Sequence, residues 1–328
     1  MTFCLCNKIS VVFITFCIGN ILYTYCMYCI RGCSRLRVFR LTLQKLCPYN
    51  SSSPRFTKYI MRKSEIGSSI DWVFPTLRRP VFFWNIASSI TVAAVGIFAK
   101  IFIRWFNKPK IHNVHYLQSA LQRPSHIPLL TVSNHHSCFD DPGLWASLDW
   151  STFCFRRKMR WTLAAHDICF TKSFHSYFFM LGKCIPVIRG RGVYQEAINF
   201  VIQDIMPQGE WLHIFPEGKV NMTKEELRFK WGIGRIIYES PVIPIIVPMW
   251  HIGMDQILHN EPPYYLRTNK KVTFNFGNPI DLRQAVAKLR EANVKPKEAR
   301  KKITDLIQKE LYALKTETEE LHAKFTSS

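Results

Sequence analysis

From about residue 110 onward, short apolar runs of strand length alternate with stretches of helical periodicity, and this alternation limits the fold more than any other feature of the chain. The runs fall at Leu129–Val132, Ile185–Ile188, Trp211–Phe215, Val242–Val247 and Val272–Phe276. Helical spacing fills Val193–Met206 and Glu225–Glu239. Strands interleaved with helices can bury both faces of a sheet, so the pattern predicts an α/β domain with a mixed, largely parallel sheet flanked by helices. Further helices are expected over residues 281–325, where Ile303, Leu306, Ile307, Leu311 and Leu314 share one face. Pro241, Pro244 and Pro248 lack backbone donors and predict an edge strand for the run they punctuate.

The chain ahead of this domain has a different composition. Of the formal net charge of +21 carried by 328 residues, ten positive charges precede the first acidic residue, Glu65. No zinc-finger spacing, RNP motif or helix-turn-helix pattern accompanies the charge, so no nucleic-acid partner is expected. Two long apolar segments do accompany it, which points to a membrane surface. Residues 9–30 are uncharged and long enough to cross a bilayer. Residues 31–64 are basic and free of acids, with Leu36, Phe39, Leu43 and Leu46 at helical spacing, the composition of an organelle-targeting segment. The organisation expected is a leader over 1–70, a membrane-anchoring segment over 71–108 and a catalytic domain over 109–328. The anchor rests on Val81–Ala99, 19 uncharged residues whose length suits either spanning or insertion into one leaflet. A second docking patch is expected at Phe174 and Tyr177–Leu181, with Lys172 and Lys183 at headgroup level; its competing reading is core. Seven of the eleven cysteines lie in the leader and the other four are unpaired in spacing, so neither a disulfide framework nor a metal site is predicted.

The chemistry begins at Ser133-Asn134-His135-His136-Ser137-Cys138-Phe139-Asp140-Asp141-Pro142, where an apolar strand breaks into a loop and a helix start follows. Residues five apart diverge by about 140° on a straight helix. His135 and Asp140 therefore meet only if the chain turns between them. A turn there lets the carboxylate fix the tautomer of an imidazole acting as general base; in isolation, Asp140 or Asp141 merely capping the helix beside an ordinary loop histidine is the better explanation of the pair. A second station, Val187-Ile188-Arg189-Gly190-Arg191-Gly192, ends a strand in arginines separated by glycines, suited to a phosphate. A third, Phe215-Pro216-Glu217-Gly218-Lys219, sets a carboxylate and an ammonium on a turn. The proline-rich run at 241–248 is the fourth. A metal centre recruiting His135, His136, Asp140 and Asp141 has no further ligand fixed by the sequence.

In that order the four stations resemble the glycerolipid acyltransferase superfamily. Longer runs, among them Asp167–Lys172, Trp211–Met222 and Leu227–Arg235, are similar to its transacylase branch, and the likeness extends from about Trp84 to His322. Lys219-Val220-Asn221 stands where the superfamily usually has Thr-Arg-Ser, a departure that sets the ordinary lysophosphatidate acceptor site apart. The resemblance implies a glycerolipid-acyltransferase-like fold and transfer of acyl chains between membrane phospholipids and lysophospholipids without acyl-CoA. It also implies remodelling of cardiolipin at the inner and outer mitochondrial membranes, on the side facing the intermembrane space, with no cofactor. His135 is then the base and Asp140 its orienting carboxylate, with Asn134, Arg189, Gly190, Glu217, Gly218 and Lys219 binding substrate. No Gly-x-Ser-x-Gly elbow occurs, which favours direct transfer over an acyl-enzyme. The nearest rival is acyl-CoA-dependent acylation of a lysophospholipid by the same pair. A phospholipase and a non-catalytic membrane scaffold are more distant ones.

Overall fold

A computed structural model describes residues 70–153 and 155–327. The apolar segment 9–30 and the basic stretch 31–64 lie outside the described residues. Seven strands form one sheet: β1 (Lys108–His112), β2 (Leu129–Ser133), β3 (Trp161–Ala165), β4 (Cys184–Val187), β5 (Trp211–Ile214), β6 (Ile245–Ile252) and β7 (Lys271–Phe276). Their order is β1-β7-β6-β2-β5-β3-β4. Every neighbouring pair is parallel except β6 with β7. The mixed, largely parallel sheet expected from the alternation is therefore the one observed.

Alternation within each strand divides two cores. Leu130, Val132, Leu212, Ile214 and Ile246 face one cluster, capped by Ile303, Ile307, Leu311 and Leu314 of the long C-terminal helix. Leu129, Trp211, Val247, Val272 and Phe274 face the other. Helix α1 (Phe82–Phe106) closes that second face with Val92, Val95, Ala99 and Ile103. Its contact stripe repeats at three and four residues, as one side of a helix must. Gly96 lies where an added Cβ would meet the Phe153 ring at 2.6 Å, so its absence lets helix and domain close. Polar ties run along the same stripe: Ser88 Oγ donates to the Leu181 carbonyl at 2.6 Å and Arg104 Nε to that of Ala146 at 3.2 Å. The buried Lys100 ammonium donates to the Leu148 carbonyl.

Three expectations need correction. The proline-rich run is not an edge strand, because β6 lies between β2 and β7. Pro248 is tolerated there because its missing donor faces the β7 side, where the ladder has ended at Met249–Phe276 and the Pro248 carbonyl instead accepts from Gly277 N at 2.8 Å. Helix Gly232–Glu239 starts later than the periodicity from Glu225 suggests. Backbone donors just before it are taken by other parts of the fold: Phe229 N by Gln308 Oε1 at 3.0 Å and Lys230 N by the Pro216 carbonyl at 2.8 Å. Lys183 is not at a headgroup surface; it is fully buried, with Nζ 2.7 Å from Glu210 Oε2. Of the apolar patch around it, Phe174 and Tyr177 are exposed and Met180 is core.

Candidate active site

In a parallel sheet all the strands deliver their following loops to one edge, and ligand sites in open α/β sheets lie outside the carboxyl ends. Four of the strands do so here with polar residues. His135 follows β2, Asp167 follows β3, Arg189 follows β4 and Glu217 follows β5. His251 lies near the end of β6, beside β2. The edge thus carries three of the four sequence stations within a run of five adjacent strands.

The chain turns between His135 and Asp140 as the pairing requires. His135 Nδ1 is 2.9 Å from Asp140 Oδ2, and the carboxylate is wholly buried while the imidazole is 21% exposed. Asp140 opens helix α2 (Asp140–Leu144), and the same Oδ2 accepts from the backbone N–H groups of His136 at 2.6 Å and Ser137 at 2.8 Å. Neither Asp140 nor Asp141 caps the helix, whose N-cap is Phe139 without a side-chain bond; Asp140 Oδ2 reaches back to the loop that carries His135. Burial pushes the Asp140 carboxyl up, but His251, the His135 hydrogen bond and the Ser137 N–H hold it below the usual carboxylate range. A carboxylate that stays ionised keeps the proton on His135 Nδ1 and the lone pair on Nε2. The ring stacks on Phe215 with centroids 4.2 Å apart, and its backbone is clamped on both sides: His135 N donates to Glu217 Oε1 at 3.1 Å, and its carbonyl accepts from Asn221 N at 2.6 Å.

Glu217 is 3% exposed. Burial pushes its carboxyl up to about 7, against the opposing effect of the His135 N–H and the Asn221 side chain. The neighbouring Gly218 has φ 71°, the left-handed region that suits glycine at this turn, while Lys219 reaches solvent. Arg189 is exposed and ion-paired with Asp167. Gly190 and Gly192 have φ 84° and 78° with open space where a Cβ would be. Because β5 and β3 separate β2 from β4, Arg189 stands three strand spacings from His135, roughly 14 Å. His135, Asp140 and Glu217 are brought together; Arg189 and Gly190 lie at a distance suited to another part of a large substrate. Asn134 is wholly buried, with Nδ2 donating to the His251 carbonyl at 2.9 Å and Oδ1 accepting from His251 N at 3.0 Å. Those bonds correct its expected place: it is a brace between β2 and β6 rather than a group facing substrate.

The sequence reading missed several residues beneath this surface. Arg160 holds Asp141 through both carboxylate oxygens and so fixes the start of α2. His213 bridges Thr131 Oγ1 at 2.8 Å and Ser133 Oγ at 3.3 Å, and burial holds it neutral, pushed down to about 3. His136, which the sequence offered only as a metal ligand, is buried and pushed down to about 4 by desolvation. Among the described residues no group of three or more His, Cys, Asp or Glu is placed to hold a metal ion, so the doubled His-His and Asp-Asp do not form one.

The family model described as Acyltransferase matches residues 108–252, which span β1 through β6. The chain is 56% identical over 255 residues to Tafazzin of Drosophila melanogaster, covering 77% of this chain and 67% of that protein. It is 39% identical over 204 residues to N-acylphosphatidylethanolamine synthase of Arabidopsis thaliana, covering 60% of this chain and 72% of that one. Taffazin of Dictyostelium discoideum is 36% identical over 205 residues, covering 61% and 71%. Sheet, polar edge and family match together define a lipid acyltransferase. Within that class, the chain belongs to the tafazzin family of the glycerolipid acyltransferase superfamily.

Proposed function

We propose that the enzyme is a CoA-independent transacylase that moves fatty acyl chains between phospholipids and lysophospholipids and remodels cardiolipin at mitochondrial membranes. The observation that carries the reading is the 2.9 Å contact of His135 Nδ1 with a buried, ionised Asp140, which leaves Nε2 as the base. His135 Nε2 takes the proton from a lysophospholipid hydroxyl. The freed oxygen attacks the ester carbonyl of a donor phospholipid, and a tetrahedral intermediate forms. As it collapses, the donor's glycerol oxygen leaves and recovers the proton from the imidazolium. One ester bond forms, one breaks, and the donor becomes the lysophospholipid. Asp140 stabilises the imidazolium while it lasts. Arg189 grips a headgroup phosphate, for which its planar fork is suited, and Glu217, Gly218 and Lys219 border the acceptor.

Both substrates have their chains in a bilayer, so the site works at its surface. Helix α1 supports one way of holding it there. Its bonds to the domain run from Ser88 to Arg104, about 24 Å of helix. Its other side exposes Phe82, Phe83, Ile86, Ile90 and Ile97, with Phe174 and Tyr177 nearby. A helix bound to the catalytic domain along that length cannot cross the hydrocarbon core and leave the domain outside it. It lies in one leaflet with its apolar side down.

The test is to incubate the purified protein with vesicles holding donor phospholipid and labelled lysophospholipid, with and without acyl-CoA. Transfer without CoA that disappears in His135→Ala supports the reading. Transfer that needs acyl-CoA and releases a thiol replaces it with acyl-CoA-dependent acylation, the second use of the same pair.

A further inference from the structure

Asp140 is approached by more than one imidazole. His251 Nε2 lies 3.5 Å from the same Oδ2 and 3.0 Å from the Asn134 carbonyl. The proton sits on Nε2 and is donated to the Asn134 carbonyl, with the Asp140 carboxylate alongside it. Nδ1 is buried and bonds to nothing in the protein. His251 itself is wholly buried and cannot touch substrate. Its backbone is fastened to Asn134 by two hydrogen bonds, so ring and loop move as one unit. Burial, ahead of every other influence, lowers its affinity for a proton, and the ring acts as a neutral donor.

We propose that His251 is a positioning residue for acyl transfer: its Nε2–H, bonded to the Asn134 carbonyl and packed 3.5 Å from Asp140 Oδ2, holds the loop of the pair against β6 and so sets the angle at which Asp140 holds His135. The two backbone N–H groups on Asp140 come from the same loop as His135, so they do not themselves refer the carboxylate to the sheet. His251 belongs to a different strand. It adds a contact from the sheet beside the carboxylate, where Glu217, Asn221 and Phe215 hold only the His135 side of the pair. The proposal rests on the transacylase reading for its reaction, though not for its geometry. Misplacing a reacting group by about 1 Å costs on the order of 10²-fold in rate. Because the ring contacts no substrate, the loss belongs in kcat.

Three substitutions separate position from packing. His251→Phe keeps a ring beside Phe274 and removes the donor. His251→Asn keeps an amide that stops short of Asp140. His251→Gln reaches the place of Nε2 and restores a donor. The full chain is assayed on vesicles for CoA-free transfer, with thermal melts to confirm folding, and the Nδ1–H proton resonance of His135 is recorded in each protein. Expected are a fall in kcat of roughly 10- to 100-fold in Phe and Asn with KM changed by less than about twofold. Gln recovers most of the loss, and the His135 resonance shifts in Phe and Asn and returns in Gln. If Phe fails to melt cooperatively, the Asn and Gln pair decides the same question. Full kcat in a folded Phe or Asn protein, or Gln no better than Asn, overturns the proposal. If the wild type transfers no acyl chain, the transacylase reading fails, and an unmoved His135 resonance would then overturn the role of His251 separately.

Discussion

At the scale of single residues, the proposed reaction rests on the pair His135 and Asp140, and their neighbours hold its geometry. Replacing His135 with Ala removes the base and leaves the fold, because the ring is at the surface edge of the site; transfer should fall about 10²–10⁴-fold with an unchanged melting profile. Near-full activity in that folded variant would contradict the assignment. Glu217 makes a second prediction with a definite sign. Its carboxyl is pushed up to about 7 in the fold from an ordinary 4.5, so between those pH values the native state holds a proton that the unfolded chain has released. Stability therefore falls as pH rises from about 4.5 to 7, by an amount on the order of 3 kcal/mol at most. Glu217→Gln keeps an acceptor for the His135 N–H and carries no charge. It should melt with the wild type near pH 4.5, melt higher at pH 8, and transfer less at both. A melting difference that does not depend on pH would show that Glu217 is ionised throughout. The contact of His135 with Asp140 was legible in the sequence because a strand, a break and a proline-marked helix start all fall within ten residues. His251 was not legible: a lone histidine at the end of an apolar run carries no motif, and only the pairing of β6 with β2 gives it a place.

At the scale of elements, the arrangement follows from which faces are apolar, and the misreadings follow from backbone bonding that side-chain patterns do not reveal. The prolines of β6 suggested an edge, yet one proline can sit inside a sheet where the ladder on its donor side has already ended. β1 reads Lys-Pro-Lys-Ile-His and shows no strand period, because an edge strand needs to bury little. Helix α1 was legible as an apolar helix. Its docking was not, since the stripe Ser88, Thr91, Val92, Val95, Gly96, Ala99, Lys100 and Ile103 mixes polar and small residues among apolar ones. Gly96 tests that docking. A Cβ there meets the Phe153 ring below contact distance, so Gly96→Val should cost about 1–3 kcal/mol through overpacking. Thermal melting, with limited proteolysis at the α1 end, reads the loss. An unchanged melting temperature would mean that α1 does not press on Phe153 in solution.

At the scale of the whole molecule, the proposed reaction requires one apolar helix and one polar sheet edge to serve the same bilayer. In the proposed reaction, docking brings lipid to the edge, His135 moves the proton, and both substrates are esters or alcohols of the same kind. Such a reaction consumes no activated donor and releases neither thiol nor free acid. The most direct measurement is therefore a mass balance on CoA-free vesicles that contain a donor phospholipid with a labelled acyl chain and an unlabelled lysophospholipid acceptor. The account predicts that each molecule of newly acylated acceptor is matched, mole for mole, by one molecule of lysophospholipid from the donor, and that both disappear in His135→Ala. Free fatty acid in place of acylated acceptor, or no exchange until acyl-CoA is added, would contradict it.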